Sequence, residues 1–146
     1  MGYQKVLVPV SGKYRLERAM LSLEQALQIV RQDGEICFLH CVDEARYLIT
    51  REDLKKLVMG DAREAEKLLS PLVERVRDAG IAYSVHIMEG SPVEHIPRFA
   101  LERTCDAVVM YAGGRDEMGK LVGKLTMGGV VERVFHAIHI PLVLVR

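Results

Sequence analysis

The residues best suited to chemistry are crowded into AGGRDEMGKLVGKLTMGG, Ala112 to Gly129, which sets six glycines beside Lys120 and Lys124. Glycine lets backbone N–H groups approach a phosphate closely, and lysine neutralises one as a point charge. Gly114 to Leu121 reads G-x-x-x-x-G-K-L, a P-loop pattern that fails where Leu121 replaces the Ser or Thr that would ligate Mg²⁺. A P-loop nucleoside triphosphatase also needs an Asp at the end of a later strand, and only IPLVLVR remains. That reading is rejected, which leaves a longer glycine loop of a different nucleotide-binding kind.

Other reactive side chains lack the spacing for a site. His40, His86, His95, His136 and His139 contain no H-E-x-x-H pair, and His136 with His139 reads as favourable positive charge at a helix C-terminus rather than as metal ligands. Ser11 and Ser91 lie outside any G-x-S-x-G elbow, and Ser91 reads as a helix cap. On one extended strand Cys37 and Cys41 would stand about 13 Å apart, too far to bridge. With Cys105 they read as buried small hydrophobes in a reducing compartment. No catalytic constellation emerges, and binding rather than turnover is expected.

The 146 residues carry twenty basic and twenty acidic side chains, so no net field favours nucleic acid or an anionic membrane. No apolar run reaches the roughly 18 residues that span a bilayer, and MGYQKVLVPV enters a strand without a signal pattern. The expectation is one cytoplasmic domain over residues 1–146.

The elements that must position the glycine stretch alternate. Lys5 to Val10, Glu35 to Val42, Ala82 to Met88, Asp106 to Tyr111 and Ile140 to Val145 are short Val, Ile and Leu runs, as in strands buried on both faces. A helix with an apolar stripe from Leu16 to Val30 ends at Gly34, and a second, from Leu54 to Val76, ends at Gly80 with a break near Ser70 caused by Pro71. The third starts at the capping box Ser91-Pro92-Val93-Glu94, buries Val93, Ile96, Phe99 and Ala100, and is distorted by Pro97. The fourth carries Val130, Val131, Val134, Phe135 and Ile138. Such alternation predicts a doubly wound parallel sheet with ligands beyond its carboxyl edge. Pro9 to Lys13, Val42 to Ala45, Met88 to Ser91 and the glycine stretch lie there.

KVLVPVSG, FLHCVD, MEGSPVEHI, CDAVVMYAGG and GGVVERVFHAIHIPLVLVR follow in an order and spacing that resemble the universal stress protein family over nearly the whole chain. The last segment resembles most specifically, through the family's G-S-V-x-E-R-V helix start and its Pro-led final strand. The resemblance implies an α/β fold of the adenine nucleotide alpha hydrolase-like kind, a five-stranded parallel sheet of order 3-2-1-4-5 with four helices. It also implies a homodimer paired through Ile140–Val145, and it reads Glu132-Arg133 as a structural or dimer-contact ion pair.

Some members of that family bind ATP and others do not. In the binders a G-x-x-G-x9-G-[S/T] loop wraps the phosphates, and an Asp after the first strand and backbone groups near the end of the second hold the adenosine. Carried over by position, the resemblance implies Pro9, Val10, Ser11, Val42, Gly113, Lys120, Gly128, Gly129 and Val130 as the site, for ATP or AMP with Mg²⁺. Three positions depart: Ser11 replaces the Asp, Asp116 puts a Cβ and a negative charge where the second loop glycine belongs, and Gly129 replaces the Ser or Thr. The loop is also about four residues longer than the family's form. Lys120 and Lys124, four apart, offset part of this loss if they face phosphate and none of it if they are solvated. Three readings stay open: a dimeric stress regulator with an altered and non-functional pocket, an ATP or AMP switch with slow ATPase activity, and a module that docks an unidentified protein partner.

Overall fold

The computed structural model describes residues 2–10, 16–42, 52, 66–112 and 129–146. They form β1 (Tyr3–Val10), α1 (Leu16–Ile29), β2 (Val30–Val42), α2 (Ser70–Asp78), β3 (Ala82–Glu89), α3 (Pro92–Glu102), β4 (Ala107–Tyr111), α4 (Gly129–Ala137) and β5 (Leu142–Val145). All strand pairs are parallel, and the five strands run β3-β2-β1-β4-β5. The parallel sheet expected from the alternation, and the 3-2-1-4-5 order that the resemblance implies, are therefore present.

Alternate residues of the strands feed two cores. Val6, Val8 and Val10 of β1 with Ile36 and Phe38 of β2 face α1 and α2, where Leu23, Ala26, Leu72 and Val76 cover them. Leu7, Cys37, Leu39 and Cys41 face the other way, under Ile96, Phe99, Val131 and Val134 of α3 and α4. Burial on both faces explains why the strands read as continuous apolar runs rather than as alternating ones.

The boundary of α1 departs from expectation. Val30, assigned to the helical stripe, instead opens β2 and pairs with Tyr3, and the register then jumps so that Lys5 pairs with Glu35. Gly34 is not the stop of the helix but part of this bulge. A Cβ there would lie 2.7 Å from the Gln4 carbonyl oxygen and 2.9 Å from a Val30 methyl. Close approach of two backbones, rather than helix termination, selects the glycine.

The helix breakers are placed as their chemistry requires. Residues 66–68 are helical, Leu69 is a turn, and α2 restarts with Pro71 in its first turn, where a missing N–H leaves no bond unmade. Gly80, at φ +71°, closes α2: its N–H donates to the Arg77 carbonyl and that of Ile81 to Val76. Ser91 caps α3 by accepting from the Val93 N–H at 3.2 Å. Helix α3 continues through Pro97 without a break, and Val93 is only half-buried.

Candidate functional site

Strand order reverses between β1 and β4, since the chain builds outward from β1 to β3 and then crosses to β4 on the other side. The crevice beyond the carboxyl ends of these two strands is the place where open α/β sheets hold ligands. Val10 and Tyr111 end its walls, α1 begins at Leu16 on one side, and α4 begins at Gly129 on the other. Both helices thus direct their positive dipole ends toward that edge, which favours an anion.

Of the residues expected at the site, Pro9 and Val10 end β1, Val42 ends β2, and Gly129 and Val130 open α4. They converge on the carboxyl edge as expected. Ser11, Gly113, Lys120 and Gly128 lie outside the described residues, as do Asp116 and Lys124. A Cβ on Gly129 would meet nothing within 4 Å among the described residues.

The edge is held by buried and capped groups. His40 donates from Nδ1 to the Val10 carbonyl at 2.8 Å, which fixes the tautomer because a carbonyl only accepts. Burial lowers the pKa of His40 below its ordinary 6.5, and the hydrogen bond to Val10 offsets part of that effect. A neutral imidazole therefore anchors the last carbonyl of β1. Next to it the Val42 carbonyl accepts from the Gly90 N–H at 3.0 Å, and His95 donates to the Glu89 carbonyl at 2.7 Å. Gly90, at φ +121°, makes the turn that brings these groups together.

One cation at this edge was absent from the expected set. The Arg18 guanidinium lies 5.2 Å from the centre of the Tyr111 ring, tying the first turn of α1 to the end of β4 across the switch point. A cation in the first turn opposes the helix dipole, and that mismatch was the signal in the sequence that Arg18 has another partner.

The remaining candidates disperse. His136 stacks edge-on with Phe135, which is 50% exposed and lies off the buried stripe of α4 to which its spacing assigned it. Glu132 and Arg133 are exposed and form no ion pair among the described residues. Among the described residues no group of three or more His, Cys, Asp or Glu is placed to hold a metal, and no helix is long and apolar enough to cross a membrane.

A parallel doubly wound sheet with a crevice at its switch point defines the class of open α/β domain that takes ligands beyond its carboxyl edge. Residues 2–146 match the model of the universal stress protein family, and the chain belongs to that family. A universal stress protein of Methanothermobacter thermautotrophicus is 26% identical over 149 residues, spanning 99% of this chain and 96% of its own. Among solved structures, the hypothetical protein MJ0577 superposes with a TM-score of 0.73 at 22% identity, over 99% of this chain and 96% of that one. An Archaeoglobus fulgidus universal stress protein in complex with dAMP gives 0.62 at 21%, over 100% of both chains. An Arabidopsis thaliana family member with AMP bound gives 0.62 at 20%, over 97% of this chain and 90% of that one.

Proposed function

We propose that this protein is a stress-linked regulator that works by binding an adenine nucleotide, with AMP the favoured ligand, in the crevice between β1 and β4. The observation that carries this reading is the placement of the amino ends of α1 and α4 at the carboxyl edge of the sheet, on either side of the β1/β4 switch point, with Arg18 packed on Tyr111 at the end of β4, in a fold whose relatives hold AMP and dAMP. A single phosphate needs fewer donors than three. That suits a site where Ser11 replaces a carboxylate, Asp116 adds repulsion and Gly129 contributes only its backbone N–H. The described residues assemble no carboxylate cluster for Mg²⁺, so the reading routes no step through a protein-held metal.

The regulator is proposed to be a homodimer. Among the described residues β5 pairs with β4 alone and no strand lies on its outer edge, where Leu144 is 38% exposed. A second copy adding its own β5 would satisfy the unpaired backbone groups.

Isothermal titration of the nucleotide-stripped protein with AMP, and separately with ATP and Mg²⁺, tests the reading. Saturable AMP binding is expected, weakened about tenfold or more by Gly129→Asp, which places a negative charge at the start of α4. Absence of heat and of any thermal shift at millimolar AMP would overturn it. Tighter ATP binding with slow phosphate release would favour the switch.

A further inference from the structure

The end of the sheet opposite the nucleotide crevice holds a groove that the proposed function leaves unused. It lies between the second half of α3 and the segment after α4, near the amino ends of β4 and β5. Its volume is about 460 Å³, within the roughly 300–1,000 Å³ of pockets that hold small organic ligands. Pro97, Leu101, Ala137, Ile138 and Ile140 wall it, and the buried Cys105 also lines it. Leu101, 79% exposed, stands there without a cover.

Where α3 ends against the groove, the backbone groups are already engaged. The Thr104 N–H donates to the Leu101 carbonyl at 3.2 Å and the Cys105 N–H to the Ala100 carbonyl at 2.9 Å, which is the paired closure of a Schellman end. The Arg103 carbonyl accepts from Lys5 Nζ at 3.0 Å and from the Thr104 hydroxyl at 2.7 Å. An occupant therefore gains on this side by burying hydrocarbon, not by bonding to backbone. Glycine suits the left-handed position of such a closure, yet Thr104 holds it at φ +51°. Its side chain lines the groove. Strain kept where glycine would leave a gap in the wall points to a site rather than to a need of the fold.

The charge beside these walls has one sign. Arg98 and His139 line the groove, and no acidic side chain does. Arg98 is exposed and makes no ion pair among the described residues. The negative dipole end of α3, which opposes an anion, is answered by Lys5 at the Arg103 carbonyl, so the Arg98 guanidinium remains in excess. A guanidinium grips a carboxylate through two parallel N–H···O bonds. An apolar slot with one such fork beside it fits an amphiphile that ends in a carboxylate.

We infer that the α3/α4 groove binds a medium-chain fatty acid, its alkyl chain along Leu101, Ile138 and Ile140 and its carboxylate on Arg98. An enclosed apolar cavity of about 150 Å³ takes a six-carbon ring, so a groove of this volume, open on one side, has room for a chain of roughly eight to twelve carbons. The paired, longer chains of a diacyl lipid overfill it, which selects the free acid over a membrane. Affinity comes from the chain, since an exposed ion pair contributes little, and the pair decides which headgroup is accepted.

Isothermal titration tests this on the full-length protein, stripped of bound lipid on a hydrophobic resin, with decanoate below its micellar concentration. Saturable binding is expected, tightening about tenfold for each two carbons from hexanoate through octanoate to decanoate. Decanol and decylamine should bind about fivefold more weakly than decanoate. Arg98→Gln should bring decanoate down to the affinity of decanol and leave decanol unchanged, whereas Leu101→Ser should weaken both alike. Both positions are exposed, so the fold should persist, with thermal melts verifying it. If either variant fails to fold, decanoate added to the wild-type protein should move the amide chemical shifts of Leu101, Ile138 and Ile140 and not those of Val10 and Tyr111. Excess AMP should leave decanoate binding unchanged. No saturable binding, equal affinity for all three headgroups, displacement by AMP, or uptake onto phosphatidylglycerol vesicles without binding of the free acid would overturn the inference.

Discussion

The two faces of the sheet are built from the same strands yet differ in what they are closed with. On the α1/α2 face the core is hydrocarbon apart from the buried Ser22 and His40, and its rim is laced by polar contacts: Arg75 pairs with Glu24 of α1, and Glu66 accepts from Arg77 at 3.3 Å and from the Tyr83 hydroxyl at 2.9 Å. On the α3/α4 face three thiols stand among the apolar groups, and a groove reaches one of them. One face is closed for stability and the other keeps an entrance, so reactivity and access can vary there without disturbing the strands that carry the nucleotide crevice.

Truncating one large side chain on each face tests this most severely. Phe38 is fully buried against α1 and α2, and Phe38→Ala is expected to lower unfolding free energy by about 3–5 kcal/mol in urea denaturation. Phe99→Ala, on the face with the groove, should fall at or below the low end of that range, because α3 has space beside it into which the site can relax. Equal losses would mean that the groove confers no compliance.

Each face also buries a histidine whose pKa is lowered, which gives a smaller, pH-dependent comparison. His40 and His86 both bind a proton more readily unfolded than folded, so the unfolded state gains protons first as pH falls below the ordinary 6.5. Stability is therefore whole above that value and declines below it, by up to about 1.4 kcal/mol per pH unit for each histidine until its folded pKa is reached. Melts from pH 7.5 to 5.5 should show the slope reduced by His40→Gln and reduced less by His86→Gln, since His40 is the more deeply buried. A slope unchanged in His40→Gln would remove His40 as its source.

The smallest effect is expected at the rim. Arg75 and Glu24 are both more than a third exposed, so Arg75→Ala should lower the midpoint of urea unfolding least of these changes, and the loss should fade in high salt. A loss as large as that of Phe38→Ala would show that the rim, rather than the hydrocarbon core, seals that face.

Much of this contrast was legible from side-chain period alone. Strands buried on two faces read as unbroken Val, Ile and Leu runs, and Pro71, Gly80 and Ser91 mark helix ends by chemistry that acts within a few residues. What escaped depended on partners far along the chain. Val30 continues the α1 stripe locally, but its pairing with Tyr3 decides its state. Phe135 keeps the helical rhythm of α4, yet the neighbour that would cover it is not in this chain's described fold. Cys37 and Cys105 share the α3/α4 core although α2, β3 and α3 lie between them along the chain, so no spacing rule relates them. Arg18 left only its unfavourable position in a first turn as a trace. At the site, Pro9, Val10, Val42, Gly129 and Val130 fall on the expected edge because that edge follows from topology.

The central place of β1 has a consequence in time. It is the first of the five described strands to be synthesised, and β2 can join one side of it soon afterward, but its other side pairs with Ala107 and Val108. At roughly 5–20 residues per second, a ribosome takes on the order of ten seconds to deliver that partner. For that interval the nascent chain carries a hydrophobic strand with a vacant flank, so its safe birth depends on what shelters β1 until β4 arrives.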